Sequence, residues 1–142
     1  MPFVKDLLDR KGTSVYSTSP TTNVLDATET MNQHRVGALL VMDSDAVVGI
    51  FTERDVLTRV MGNGKAPAEI PVADVMTHPV AYCTKETPLE VCKAIFTEKR
   101  IRHMPVMEGN RVIGLVATGD VMAYEAHHLQ QTVRYLEEYI NS

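Results

Sequence analysis

The stretch GIFTERD, residues 49 to 55, crowds Thr52, Glu53, Arg54 and Asp55 behind an apolar run. The order reads as a buried strand ending where a helix begins, with Thr52 as cap and Asp55, three residues on, completing a capping-box pair. The same residues can do chemistry. A helix start offers unpaired N–H groups and the positive end of the dipole to an anion, and the Thr52 hydroxyl and Arg54 guanidinium would help hold a phosphate there. A carboxylate beside a phosphate is electrostatically out of place unless Asp55 accepts from two neighbouring hydroxyls, as a ribose diol offers. Thr, Arg and Asp together suggest a nucleotide; capping is the competing explanation.

Other chemistry finds less support. No GxSxG, HExxH, Walker-type loop or paired Cys/His arrangement occurs, so nucleophilic or metal-assisted catalysis has no motif behind it. His127 and His128 are adjacent, about 100° apart on a helix, and do not share a face for a metal. His34 and His78 read as surface residues. The two cysteines, Cys83 and Cys92, lack CxxC spacing and read as small buried hydrophobes. The basic run EKRIRH reads as the solvated end of an amphipathic helix.

The bulk properties set the class. A chain of 142 residues, 44% hydrophobic and 23% charged, is that of a soluble globular protein able to bury a core. Its formal charge of −4 disfavours nucleic acid as a partner. Nowhere do about 20 apolar residues follow one another, and MPFVKDLLDRKG has no signal-peptide core, so the expectation is a cytoplasmic protein with no membrane partner.

What positions the cluster is a repeat. Asp55 matches Asp120 and Gly49 matches Gly114, both 65 positions apart, and the same offset pairs Val15 with Val80, Thr22 with Thr87, Arg35 with Arg100, Val41 with Val106 and Val47 with Val112. One supersecondary unit is used twice, which implies a pseudo-twofold protein. Each unit predicts a short strand (14–18 and 79–84), then a helix (22–35 and 87–100). A hairpin with a three-residue turn follows, and a closing helix after Asp55 or Asp120. Thr22 and Thr87 are the expected caps, with Pro88 at the first helical position and Glu90 completing a capping box. The fold class is α+β, two β-α-β-β-α repeats plus a long C-terminal helix. GNGKAPAEIP is the connector, giving divisions at 1–66 (first repeat with N-terminal segment), 67–125 (second repeat) and 126–142 (helical extension). The last helix carries Leu129, Val133, Leu136 and Ile140 as a narrow apolar seam.

With GIFTERD, RIRHMPVMEGNRVIGLV and VADVMTHPV in view, the chain resembles a tandem pair of CBS domains, or Bateman module, from about Val15 to Met122. More narrowly it is similar to stand-alone bacterial CBS-pair proteins with a long C-terminal helix. The resemblance implies an adenosine-containing ligand, such as AMP, ADP, ATP, NAD or S-adenosylmethionine, in the cleft between the repeats, and no required cofactor. Carried over by position, Asp55 takes the ribose hydroxyls, Thr52 and Arg54 the phosphate, and Thr18, Ser19, Val36, Gly37 and Ala38 frame the adenine. In the second half the matching positions are Asp120, Thr84, Thr118, Arg102, His103, Met104 and Pro105, with Arg102 or His103 reaching phosphates held by the first unit. Two departures stand out: Ala117 replaces the hydroxyl residue in GLVATGD, which allows one ligand per chain, and Gly37 stands where the second unit has Arg102, which leaves room for a bulkier ligand.

The function expected is that of a non-catalytic sensor that signals in trans to an unknown protein, as a homodimer built from the module faces and the seam. Two alternatives stand beside it: a structural dimerisation module with a decayed site, and a small nucleotide-acting enzyme with His103 as its base. Replacing Asp55 by Ala is expected to weaken binding by about 1–3 kcal/mol while barely changing thermal stability.

Overall fold

The structure, a computed structural model, describes residues 2–141. Along the chain run α1 (Val4–Lys11), β1 (Ser17–Thr18), α2 (Val24–His34), β2 (Ala38–Asp43), β3 (Ala46–Thr52), α3 (Glu53–Asp55), α4 (Leu89–Lys99), β4 (His103–Glu108), β5 (Arg111–Ala117) and α5 (Thr118–Asn141). The architecture is the mixed α+β arrangement expected, with two small sheets and a long C-terminal helix. No helix among the described residues is long and apolar enough to cross a membrane.

Residues matched at the offset form matched elements. The hairpins β2–β3 and β4–β5 are antiparallel, each with a register shift at its matched position, Val41/Met42 and Val106/Met107. Both α2 and α4 end on an arginine in the left-handed conformation, Arg35 (φ 54°) and Arg100 (φ 55°). In each case the next amide closes the helix end, Val36 N–H on Met31 O and Ile101 N–H on Phe96 O, both at 3.1 Å. The first strands are weaker than predicted. β1 pairs only Ser17 and Thr18 with Leu40 and Val41, and its counterpart shrinks to a single parallel bridge from Cys83 to Val106.

The helix starts also differ from the sequence expectation. The cap of α2 is Asn23, whose side chain accepts from Asp26 N–H at 2.9 Å, and α4 follows Pro88 without a side-chain cap. The Thr87 hydroxyl instead accepts from Thr84 N–H at 3.0 Å. The reason is tertiary. Leu89 N–H is already satisfied by Pro2 O at 3.0 Å, and Val24 N–H by Ile70 O at 2.8 Å, so each helix start is closed by a segment from elsewhere in the chain.

Those segments are exchanged between the repeats. Val4 N–H bonds Thr87 O and Val72 N–H bonds Thr22 O. Val4, Leu7 and Leu8 fill the core of the second repeat beside Leu89, Phe96 and Met104, while Ile70, Val72 and Val75 fill that of the first beside Met31, Leu39 and Phe51. The N-terminal segment, counted with the first repeat by chain order, therefore packs on the second, and α5 runs unbroken through position 125. The matched glycines permit this. A Cβ on Gly114 would lie 2.8 Å from Leu8 Cδ2, and one on Gly49 would collide with Met76. Cys83 and Cys92 are buried in the second core. A third cluster joins the halves: Ala38, Leu40 and Ile50, with Val15, Val47, Val80, Val112 and Leu115 packed against them. Three pairs from the offset, 15/80, 47/112 and 50/115, meet in that junction.

Candidate ligand site between the repeats

The GIFTERD cluster folds as a strand end and a tight helical start. Thr52 caps α3, and Thr52 N–H donates to Asp55 Oδ2 at 3.0 Å while Asp55 N–H reaches the Thr52 hydroxyl at 3.3 Å. Asp55 is 3% exposed. Its other oxygen, Oδ1, accepts from the Thr77 hydroxyl at 2.9 Å and lies 3.8 Å from Arg59 Nε. Capping is thus built into the geometry, and the carboxylate also pins the stretch just after the connector to the first repeat, because Thr77 and Ile50 form a two-way backbone bridge.

The phosphate half of the sequence reading changes. α3 is three residues long and passes into a π-helical turn at Val56–Val60, so it carries little macrodipole. Its amides are mostly spent: Glu53 N–H donates to Gly37 O at 3.0 Å, and Asp55 N–H to Thr52. An anion bound here would have to be held by side chains.

Such side chains surround Asp55. A cavity of about 740 Å³ opens between the repeats, lined by Gly37, Ile50, Thr52, Glu53, Arg54, Asp55, Thr58 and Arg59 from the first, Thr77 from the stretch just after the connector, and Lys99, Arg100, Ile101, Arg102 and His103 from the second. Of the residues expected at the site, Gly37, Thr52, Arg54, Asp55, Arg102 and His103 are brought together here. Arg102 and His103 line the same cavity as the first unit's residues, with His103 Nε2 beside Gly37. Thr18, Ser19, Val36, Ala38, Thr84, Met104, Pro105, Thr118 and Asp120 do not line it. Ala38 and Met104 are core residues, Pro105 is buried, and Val36 packs on the first core. The Ser19 hydroxyl is occupied by Thr21, and Thr118 lines a smaller neighbouring pocket with Arg54, Arg100 and Arg102.

Gly37 does not open the room expected for a bulkier ligand. A Cβ there would lie 2.8 Å from Glu53 Oε1 and 3.5 Å from His103 Nε2, so the space saved is filled by Glu53. Burial pushes the His103 imidazole below its ordinary pKa and outweighs the opposing pull of Glu53 and Asp120. The ring is neutral at neutral pH. Arg54 is tied across the cleft, its Nη1 donating to Arg100 O at 2.8 Å.

Sequence reasoning missed Lys99, Arg100, Arg59, Thr77 and Glu53. Lys99 and Arg100 lie in the run EKRIRH, which read as a solvated helix end. Their use follows from the left-handed turn at Arg100, which swings the end of α4 over the cleft.

The second half is arranged differently at the matching carboxylate. Asp120 Oδ2 accepts from Ala117 N–H at 3.0 Å, half of the Thr52–Asp55 pattern, and pairs with Lys11 Nζ at 2.5 Å. Lys11 also donates to Leu115 O at 2.9 Å. The end of α1 thereby places its own cation on the second carboxylate.

Comparison with known proteins agrees with this architecture. A family model for the CBS domain matches residues 4–62 and 72–127. The mitochondrial CBS domain-containing protein CBSX3 of Arabidopsis thaliana is 34% identical over 96% of this chain and 71% of its own. The structure of the CBS-domain containing protein ATU1752 from Agrobacterium tumefaciens is 40% identical and superposes with a TM-score of 0.83, covering 87% of this chain and 98% of its own. The CBS domain pair of MJ0100, solved in complex with 5′-methylthioadenosine and S-adenosyl-L-methionine, shares the fold at a TM-score of 0.76 and 21% identity, covering 90% and 98%.

Proposed function

The chain belongs to the CBS-domain family, and from that premise we propose that it is a non-catalytic sensor module whose ligand is an adenosine-containing molecule bound between the repeats. AMP, ADP, ATP, NAD and S-adenosylmethionine are the candidates. The observation that carries the reading is the cavity itself: about 740 Å³, within the range for small-molecule sites, with one buried carboxylate and arginines from both repeats in its lining. A carboxylate beside several cations suits a sugar-phosphate. The adenosine compounds bound by the MJ0100 pair belong to that protein and set the class to be tried first here.

On this reading Asp55 takes the ribose hydroxyls. Its two oxygens offer about four lone-pair positions, and three donors already use them, Thr52 N–H, the Thr52 hydroxyl and the Thr77 hydroxyl. Binding a diol therefore requires at least one threonine hydroxyl to turn away, which a rotating O–H does at little cost. Gly37, Thr52, Arg54, Arg102 and His103 complete the site. A ligand at Asp120, with Thr84 and Thr118, has to displace Lys11.

The output is in trans. Leu129, Val133, Leu136 and Ile140 of α5 are 63%, 45%, 49% and 78% exposed, and a second copy covering this seam would give a homodimer whose arrangement the ligand biases toward an unknown cytoplasmic protein target. No cofactor, membrane or nucleic acid enters the reading. Titration calorimetry of the purified chain against the five compounds tests it: saturable binding of at least one, weakened by Asp55→Asn, supports the reading, and no heat with any of them opposes it. A second reading, a structural dimerisation module, is favoured by the occupied state of both carboxylates. It predicts a stable dimer that binds none of the five.

A further inference from the structure

The cavity is far more basic than the chain that builds it. The protein carries a formal charge of −4 with 14 Lys and Arg. Five of those 14, Arg54, Arg59, Lys99, Arg100 and Arg102, line this one cavity against only two carboxylates, Glu53 and Asp55. Two of the five have work within the protein: Arg54 bonds Arg100 O, and Arg59 donates to Met76 O at 2.9 Å beside Asp55. The side chains of Lys99, Arg100 and Arg102 have no hydrogen bond or ion pair among the described residues. Three unpaired cations held near one another repel, so the free protein is raised in energy by an arrangement that an anion would relieve.

The fold does not require them. At the offset of 65, Arg54, Arg59, Lys99, Arg100 and Arg102 correspond to Gly119, Tyr124, His34, Arg35 and Gly37. The other half builds the same elements with a single arginine at these five positions. Helix amides contribute little, because two of the three in α3, those of Glu53 and Asp55, are already bonded.

We infer that the ligand of this cleft is a nucleoside polyphosphate, with Lys99, Arg100 and Arg102 holding the phosphates beyond the first. The inference rests on the reading of the cleft as an adenosine site and narrows its ligand class. A nucleoside monophosphate presents one phosphate, which Arg54 and Arg102 can meet alone. S-adenosylmethionine presents a sulfonium cation, which this lining repels. A chain of phosphates running from a sugar at Asp55 toward the end of α4 meets all three free cations of the cavity.

Calorimetry with adenosine, AMP, ADP, ATP, S-adenosylmethionine and inorganic tripolyphosphate, at fixed salt and with and without Mg²⁺, reads the inference directly. Each added phosphate tightens binding by about tenfold, the scale of one charge-assisted contact, and tripolyphosphate competes with ATP. Lys99→Ala and Arg100→Asn, the latter chosen because Asn tolerates the left-handed backbone, each reduce the preference for ATP over AMP by about tenfold. Equal affinity for AMP and ATP, tighter binding of S-adenosylmethionine, or variants that weaken AMP as much as ATP overturn this inference and leave the adenosine site standing. No binding by any adenosine compound overturns both.

Discussion

Replacing Asp55 separates folding from binding if two variants are compared. In Asp55→Ala the Thr52 amide and the Thr77 hydroxyl lose their acceptor in a place where Asp55 is 3% exposed. The cap bond from Asp55 N–H to the Thr52 hydroxyl is a backbone bond and survives, but two half-buried donors are left without their acceptor, at about 2 kcal/mol together. The ion pair with Arg59, which is half exposed, adds little. A loss of about 2 kcal/mol lowers the melting temperature of a chain this size by roughly 6 °C. This reverses the expectation, drawn from the sequence alone, that Asp55→Ala barely alters stability, because Thr77 could not be seen as its partner. Asp55→Asn behaves otherwise. Its amide oxygen accepts from Thr52 N–H and its NH2 donates to the Thr77 hydroxyl, so the native contacts survive and the cost stays under about 1 kcal/mol. A ribose diol finds only one remaining acceptor, and affinity for adenine nucleotides falls at least about tenfold. Thermal melts followed by circular dichroism, paired with calorimetry, give both numbers. An Ala variant melting within about 2 °C of the parent, or an Asn variant binding as the parent does, refutes this account of the carboxylate.

Three further outcomes are expected. The folded chain holds His103 below its ordinary pKa, so the unfolded chain takes up the proton first; this residue's stability contribution is full above about pH 6.5 and is lost as the pH falls beneath that value. A phosphate beside the ring favours the imidazolium, so binding takes up protons and tightens as the pH falls toward about 6.5; calorimetry across buffers reads this, and His103→Gln removes the imidazole's share of it. Gly114→Ala forces a methyl to within 2.8 Å of Leu8 Cδ2 and loosens α1, costing about 1–3 kcal/mol in urea unfolding; Leu8→Ala added to it should recover part of that loss rather than add in full. Val133→Glu with Leu136→Glu on α5 converts the dimer to monomer in sedimentation velocity, with the melting of the monomer unit unchanged; a parent chain that sediments as a monomer contradicts the seam's role.

The offset of 65 made most of the architecture legible, since it aligned strands, hairpin turns and both carboxylates without gaps. The caps at Thr22 and Thr87 misled because their propensity is local, whereas the helix starts at Asn23 and Pro88 are fixed by the backbone bonds of their neighbours, Val24 N–H to Ile70 O with Val72 N–H to Thr22 O, and Leu89 N–H to Pro2 O with Val4 N–H to Thr87 O. The exchange of segments was hidden from hydrophobic periodicity, but a second offset encodes it: Val4 and Asp6 match Val72 and Asp74, 68 positions apart. At the site, residues attached to the motif (Thr52, Arg54, Asp55) and its pseudo-twofold partners (Arg102, His103) were readable. Lys99 and Arg100 were not, because their role depends on where a left-handed turn aims a helix end. Ala38, assigned to frame the base, and Met104 and Pro105, assigned to the matching segment of the second half, are buried inside the protein, because these strands are covered on both faces.

The account's central claim is that the ligand sits between Asp55 and the end of α4. Amide chemical shifts of the labelled protein titrated with ATP test it most directly. The account predicts saturable shifts concentrated at residues 52–55, Thr77 and 99–103. Shifts concentrated around Asp120 and Lys11, or on the exposed face of α5, with residues 52–55 unmoved, would contradict it.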